Sequence, residues 1–410
     1  MDSTNNRSTP RILTMPGIRT SMMATRITTT RTTTTERVPS ADQPDAAFSF
    51  EELTQAYFDC RRAKRNTVSA LTFEQDLERN LARLHDELQD GSYQPGKSIC
   101  FVITRPKPRE VWAAEYRDRI VHHLLYNRIA PRFHAAFIAD TCACIPGRGT
   151  LYAVNRLEAK VRSQTQNWSR PAWYLKCDLA NFFVAIDKRV LRQQLHARIE
   201  DPLTRALTDL VLLHDPRTDV EIHSPASRMA MIPPHKSLFN QPTHLGLPIG
   251  NLSSQFFANV YLDALDQFIK HQLRARHYVR YVDDFVLLHD SPQQLNAWLA
   301  EIAAFLPRVL NAQLNPTKTI LQPIDRGIDF VGQVIKPWRT TLRRRTYNDA
   351  LSRIRSINNT DLYTTANSYL GLCRQANHSH HDRVRIANLL RKRGRCIDAG
   401  LTKTYRSATA

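Results

Sequence analysis

The sequence predicts an α+β chain, and three observations carry that prediction. Phe73, Leu77, Leu81, Leu84 and Leu88 recur at helical spacing. Two short apolar runs, "ICFVIT" (99–104) and "WYLKCD" (173–178), have the length and residue types of buried strands. "HYVRYVDDFVLLH" (277–289) alternates like two strands that meet at a tight acidic turn.

The elements follow in chain order. Residues 1–47 hold twelve Thr among the first 35 and no apolar periodicity, which predicts a disordered tail. Its six Arg admit a transit-peptide reading, and a start at Met22 or Met23 is the alternative. Folded sequence begins near Phe48. Ser49 with Glu52 and Thr72 with Gln75 make two capping boxes, and Gly91 closes the helix behind the second. The Pro-punctuated basic stretch "RPKPRE" (105–110) predicts a turn, and a helix follows from about Arg117 to Ile129. Residues 214–245, rich in Pro, His, Asp and Ser, read as a long loop or insertion. Helical pattern resumes over 251–273 and again near 292–306, with short strands over 318–335.

Composition narrows the function. The 410 residues carry 57 Lys and Arg against 38 Asp and Glu, a net +19. A surplus that large points to a polyanion, either nucleic acid or an anionic membrane surface. Residues 336–410 hold sixteen Lys and Arg against four Asp, so a net +12 sits in the final fifth. A 42% hydrophobic content excludes a wholly disordered chain. No run of 18 apolar residues exists, which excludes a membrane-spanning helix. Seven cysteines without metal-ligand spacing suit a reduced, cytoplasmic protein with neither a zinc site nor a disulfide framework.

The chemistry-bearing residues are acids. Asp283 and Asp284 lie between the apolar halves "RYV" and "FVLL". Adjacent residues of a strand point to opposite faces, so two neighbouring acids serve one site only at a turn. Like charges held close repel unless cations neutralise them; a solvated hairpin tip is the alternative reading. Asp178 ends a strand of its own, and the aromatic pair Phe182 and Phe183 follows it. Three converging carboxylates would hold two divalent ions roughly 3.5–4 Å apart, the arrangement for in-line phosphoryl transfer. Mg2+ suits such an all-oxygen site.

"YVDD" (281–284) resembles the signature turn of reverse transcriptases, and "KCDLANFFVAID" (176–187) resembles their first catalytic-acid motif. The agreement runs in order across roughly 100–400. "RPKPREVWAAEYRDRIVHHLL" (105–125) is similar to the fingers region of bacterial group II-intron-like enzymes, and "CIPGRGT" (144–150) to their next block. "LNPTKT" (314–319) resembles their lysine-bearing motif, and "IDFVGQVI" (328–335) their primer-grip hairpin. "GLPIGNLSSQ" (246–255) has the IGxxxSQ form of diversity-generating retroelement reverse transcriptases, where retroviral and intron enzymes carry QGxxxSP. Related lineages, some tied to phage defence, carry similar blocks.

The resemblance implies a right-hand polymerase: fingers mainly 48–172, palm mainly 173–335 with an antiparallel sheet, and a basic helical thumb over 336–410. It implies an RNA-templated DNA polymerase that adds dNTPs to a 3′-hydroxyl. Asp178, Asp283 and Asp284 would be the catalytic, metal-binding carboxylates for two Mg2+ ions, with Mn2+ as the alternative. Phe182 would be the steric gate against ribonucleotides, with Phe183 as its alternative. Lys107 and Arg109 would clamp the triphosphate, and Lys318 would assist pyrophosphate departure. Gly250 would let backbone approach the templating pair, and Gln255 lies at the helix end facing the nucleotide. Asp118 and Arg119 would brace the fingers. Arg343, Arg344, Arg345, Arg391, Lys392 and Arg393 would track the template–primer phosphates. The implied partners are an RNA template, a DNA or RNA primer, dNTPs and a small basic accessory protein, with no membrane. Within the class, a diversity-generating enzyme leads over a group II-intron-like or phage-defence one. A non-catalytic RNA-binding protein on the same scaffold is the reading from another class.

Overall fold

The computed structural model describes residues 48–62, 67–105 and 107–406. The Thr-rich segment 1–47, with the tail, transit-peptide and start-site expectations, lies outside them. Among the described residues ten strands form three sheets: β1 (Ser98–Ile103), β2 (Arg109–Ala114), β3 (Trp173–Cys177), β4 (Val220–Ile222), β5 (His277–Tyr281), β6 (Asp284–His289), β7 (Ile320–Pro323), β8 (Ile328–Phe330), β9 (Gln333–Lys336) and β10 (Arg339–Leu342).

The central sheet has the order β5-β6-β3-β7 and is antiparallel throughout. Cys177 lies opposite Phe285 and Tyr281 opposite Asp284. That register brings the end of β3 beside the β5–β6 turn, so Asp178 falls at the same end as Asp283 and Asp284. The sheet is covered on both faces, which is why "FVLL" is continuously apolar instead of alternating. Leu175, Cys177, Tyr278, Phe285 and Leu287 pack with helices Tyr116–Ala136, Leu252–Gln267 and Pro292–Leu310. Tyr174, Val279, Val286 and Leu288 face helix Thr150–Gln164 and the β8–β9 hairpin. The hairpin turns on Val331 (φ 42) and Gly332 (φ 89), the paired positive φ that a two-residue loop requires.

Several expectations need correction. The Ser49–Glu52 box forms, with reciprocal bonds of 2.9 and 3.1 Å ahead of helix Phe50–Arg62. The Thr72–Gln75 box does not: Thr72 is interior to helix Val68–Glu74, and the next helix starts at Leu77 after Asp76. Leu81, Leu84 and Leu88 are its buried stripe, and Gly91 (φ 75) follows its end. The helix expected to stop at Ile129 continues to Ala136 through Pro131, and that near 292–306 continues to Leu310 through Pro307. In each case apolar burial outweighs the loss of one backbone donor.

Residues 214–245 are more than a loop. They supply β4, which pairs in parallel with β1, and a short helix Ala226–Met229. Buried Glu110 of β2 accepts the Leu238 N–H at 2.9 Å, and Arg217 donates to the carbonyls of Leu238 and Gln241 at 3.2 and 2.6 Å. The Glu110 bond and the β4–β1 pairing tie the segment to the first sheet, and the Arg217 bonds brace the segment internally. The basic C-terminal region is not wholly helical: it opens with β10, which completes the β10-β9-β8 sheet. Helices Arg344–Ser356, Asn359–Gln375 and His380–Lys392 then pack around Ile354, Leu362, Leu370, Ile386 and Leu390. None of the seven cysteines forms a disulfide, and five of them are buried.

Candidate active site

The acidic turn is a two-residue hairpin loop, Val282–Asp283, between paired Tyr281 and Asp284. Val282 sits at φ 55, a conformation that costs a β-branched residue about 1–3 kcal/mol. A buried network sustains it. The fully buried Arg280 side chain places Nε and Nη2 at 2.7 and 2.5 Å from the two oxygens of Asp266, which is equally buried. Its Nη1 donates to the Val282 carbonyl at 3.0 Å and to Asn259 Oδ1 at 3.2 Å. Asp266 also accepts the hydroxyls of Tyr278 (2.7 Å) and Thr141 (2.6 Å). Burial opposes the guanidinium charge, and Asp266 outweighs it.

Asp178 is 5% exposed, just past the end of β3. Lys318 Nζ meets both of its carboxylate oxygens, at 2.6 and 2.7 Å. Asn315 donates its backbone N–H to the Asp178 carbonyl at 2.8 Å. Lys176 Nζ lies 3.7 Å from Asp284 Oδ2. Asp283 is pushed up to about 6, first by burial and then by the negative charge of Asp178. Burial also raises Asp284, with Lys176 opposing and Asp178 adding. The three acids therefore share one field. Among the described residues no three acid, His or Cys side chains are close enough to hold an ion in this arrangement, and Lys318 occupies Asp178. The donors are all carboxylate oxygens in mutual repulsion, a set that fits a hard divalent cation.

A cavity of about 360 Å³ opens beside Asp283. Lys107, Arg109 and Lys318 line it, as do Phe182, Phe183 and Ile249. Lys107 and Arg109 are exposed. Phe182 is 5% exposed, its ring 6.5 Å from that of Tyr261 in the core, whereas Phe183 is the more exposed of the pair. Gly250 has φ 133, and a Cβ there would lie 2.5 Å from the Trp112 carbonyl oxygen and 2.9 Å from Val111 Cγ1. The close approach expected of Gly250 is thus to β2, where Ile249 also accepts the Trp112 N–H at 2.7 Å. Gln255 lies outside this cavity, exposed, with Cys144 Sγ 3.7 Å from its Oε1. Asp118 is buried, taking Tyr93 OH at 2.8 Å and Gly96 N at 2.9 Å, and Arg119 donates to the Ala114 carbonyl.

Two parts of this site were missed in the sequence. One is the Arg280–Asp266–Asn259 network, signalled only by a charged residue inside an apolar strand. The other is the insertion: Met231, Ile232 and the exposed Lys236 line the same cavity as Asp283, which no local motif announced. The basic residues of the C-terminal region are spread through it. Arg343 pairs with Asp329 at 2.5 Å, and Arg393 donates to the Ile354 carbonyl and to Asn359. Arg344, Arg345, Arg391 and Lys392 are exposed.

No helix among the described residues is long and apolar enough to cross a membrane. A comparison with curated proteins finds no match. A sequence model described as reverse transcriptase (RNA-dependent DNA polymerase) matches residues 105–335, more than half of the chain and the span from the basic turn through β9. The match covers both acidic motifs, and its family implies a right-hand polymerase fold that works on a nucleic-acid template, a primer and dNTPs: the chain belongs to the reverse transcriptase family and is an RNA-directed DNA polymerase.

Proposed function

We propose that Asp178, Asp283 and Asp284 are the catalytic carboxylates and hold two divalent ions, Mg2+ by preference and Mn2+ as a substitute. The observation that carries this reading is the β3–β6 register, which sets Asp178 beside the acidic turn so that its charge raises Asp283. When bound, such ions supply charge neutralisation and activate the primer 3′-hydroxyl for in-line displacement. The chain's own groups do the rest. Lys107, Arg109, Lys236 and Lys318 bind the triphosphate oxygens, the Lys and Arg of the basic turn from one side and the insertion from another. Lys318 moves from Asp178 toward the departing pyrophosphate. Phe183, more exposed than Phe182, is the ring beside the sugar, and Phe182 backs it from the core. Fingers (48–172) and palm (173–335) meet at β2 and Gly250, and the thumb begins after β10.

Within the family, the IGxxxSQ form of 249–255 supports an enzyme of a diversity-generating retroelement, served by a small basic accessory protein, over group II-intron-like or phage-defence relatives. Ile249 lines the cavity, where it offers apolar bulk in place of a Gln able to hydrogen-bond near the nascent pair. Loss of such a contact is worth roughly 1 kcal/mol, several-fold in error frequency. Primer extension on a defined RNA with Mg2+, followed by deep sequencing, tests both levels. Activity that survives Asp283→Asn would overturn the carboxylate assignment. By family resemblance errors concentrate opposite template adenines, so Ile249→Gln lowers misincorporation there most; a wild-type enzyme already accurate at adenine would overturn the subclass.

A further inference from the structure

A second cavity, about 380 Å³, lies at the end of the central sheet opposite the acids. Asp284 and His289 bound β6, so five residue steps, about 17 Å, separate the two ends. The sheet between them is buried on both faces, and a group bound in one cavity does not touch the other. Three exposed arginines, Arg170, Arg274 and Arg276, ring this far cavity, and no carboxylate or other acceptor pairs with them among the described residues. One acid, the exposed Asp290, reaches the rim; its Oδ1 lies 2.9 Å from His289 Nδ1, which accepts the Ser291 N–H at 3.0 Å.

The arginines are presented by a braced turn. Leu273 and Ala275 are buried on either side of Arg274, which sits at φ 54, so Arg274 and Arg276 both project outward. Lys270 Nζ fixes the turn by donating to the carbonyls of Ala275 (3.2 Å) and Arg276 (3.0 Å). The local field is strongly positive. Burial, then Lys160, Arg276 and Lys270, push His277 down to about 4 against the opposing pull of Asp140, so the lining imidazole is neutral at physiological pH. Beside the cavity, helix Thr150–Gln164 carries Arg162 next to lining residue Ser163. Arg162 lies 5.8 Å from the ring of Trp338, which is 62% exposed at the β9–β10 turn. Arg162 is itself paired, with Glu158 at 2.9 Å and Asn167 at 2.8 Å, so the guanidiniums left for a ligand are those on the cavity rim. Unpaired guanidiniums are the groups by which proteins grip the phosphates of nucleic acid.

We propose that this cavity is a second RNA site, which holds the phosphodiester backbone of template RNA outside the polymerising cleft through Arg170, Arg274 and Arg276. The proposal rests on the family's RNA-directed activity and not on the assignment of the catalytic carboxylates.

The test uses the full chain and its Arg274→Ala/Arg276→Ala variant. Binding is measured by fluorescence anisotropy for a long unpaired RNA and for a short blunt primer–template duplex, each over a salt series. The variant should bind the long RNA about tenfold more weakly, with its salt slope reduced by about 1.4 for two lost single-strand phosphate contacts. Duplex affinity and the extension rate on the short substrate should stay at wild-type values. An Arg274→Lys/Arg276→Lys variant should recover most of the affinity. Equal losses on both substrates would assign these arginines to the polymerising cleft and overturn the proposal, as would unchanged binding of both. Inorganic phosphate or dNTP that binds the wild type but not the variant, with RNA binding unaffected, would mark a free-anion site and overturn it too.

Discussion

Asp266→Asn is the most informative single change outside the acids themselves. Asp266 and Arg280 are both fully buried, and the carboxylate takes two guanidinium N–H groups at 2.7 and 2.5 Å. Removing one partner of a buried pair leaves an uncompensated charge and costs about 3–5 kcal/mol. That is a large part of the 5–15 kcal/mol typical of a folded domain. Arg280 also donates to the Val282 carbonyl at 3.0 Å, the bond that holds the strained acidic turn. A charged hydrogen bond of this kind is worth about 1.5–3 kcal/mol, which at 1.4 kcal/mol per decade predicts a rate loss of about ten- to a hundredfold. The double variant Asp266→Asn/Arg280→Gln separates the two effects. It removes the unpaired charge, so urea denaturation should show recovery of about 2 kcal/mol relative to Asp266→Asn. Gln is too short to bridge to Val282, so single-turnover extension should remain slow. If stability and rate recover together in the double variant, the network is structural only and its positioning role is wrong.

Four further outcomes are expected. Asp283→Asn should abolish dNTP incorporation while RNA affinity holds; in chelator it should also stabilise the fold. The sign follows from the raised pKa: a carboxyl at about 6 when folded, against its ordinary 3.8, destabilises the folded state above pH 6. The gain should therefore be about 1–3 kcal/mol at pH 8 and fade as pH falls through 6 toward 4, and thermal melts across pH would expose a gain of the opposite trend. Phe183→Ala should admit ribonucleotides more readily than Phe182→Ala in paired extension assays, with Phe182→Ala lowering stability by about 3–5 kcal/mol; the reverse ranking would return the gate to Phe182. Gly250→Ala, with a Cβ 2.5 Å from the Trp112 carbonyl at φ 133, should cost about 2–4 kcal/mol in urea denaturation, and a neutral result would show that β2 yields freely. Lys236→Ala should raise the KM for dNTP several-fold at nearly constant kcat; an unchanged KM would remove the insertion from nucleotide binding.

The legible parts of this molecule were those where local chemistry and tertiary role coincide. "WYLKCD" and "HYVRYVDDFVLLH" announce strands by residue type, and their acids are informative because a buried ribbon tolerates charge only for a purpose. Proline marked the break after β1, although Arg109 and Glu110 of "RPKPRE" already belong to β2, and the Ser49–Glu52 box was legible from a bond made within four residues. What stayed hidden is long-range. Arg280 and Asp266 are fourteen residues apart and meet through packing, so neither announces the other. The insertion 214–245 looked like a loop because its one strand is three residues long and borrows its stability from β1. Its contribution to the cavity depends on Glu110 and Arg217 anchoring its backbone, contacts with no sequence period. Phe182 and Phe183 are indistinguishable by type, and only the packing of Phe182 on Tyr261 separates them.

The positive charge of the chain divides by whether a partner is already in place. Arg280 is satisfied by Asp266, Arg343 by Asp329, and Arg393 by the Ile354 carbonyl and Asn359; each joins two parts of the fold. A cation so engaged contributes little to binding a polyanion, because counterion release requires that it exchange solvent ions for phosphates. Arg345 reaches Asp349 only at 4.0 Å, with both side chains exposed, a pair of little strength that a phosphate can displace. Exposed Arg344 and Lys392 are available in the same way, while Arg391 also donates to Asn388 Oδ1 at 3.2 Å. The net +19 therefore overstates the electrostatic grip on nucleic acid, and the arginine-rich motifs "RRR" and "RKR" act partly as fasteners. By the same criterion the unpaired Arg170, Arg274 and Arg276 stand out. They are far from the acids, hold no fold contact with their side chains, and retain their full charge for a ligand.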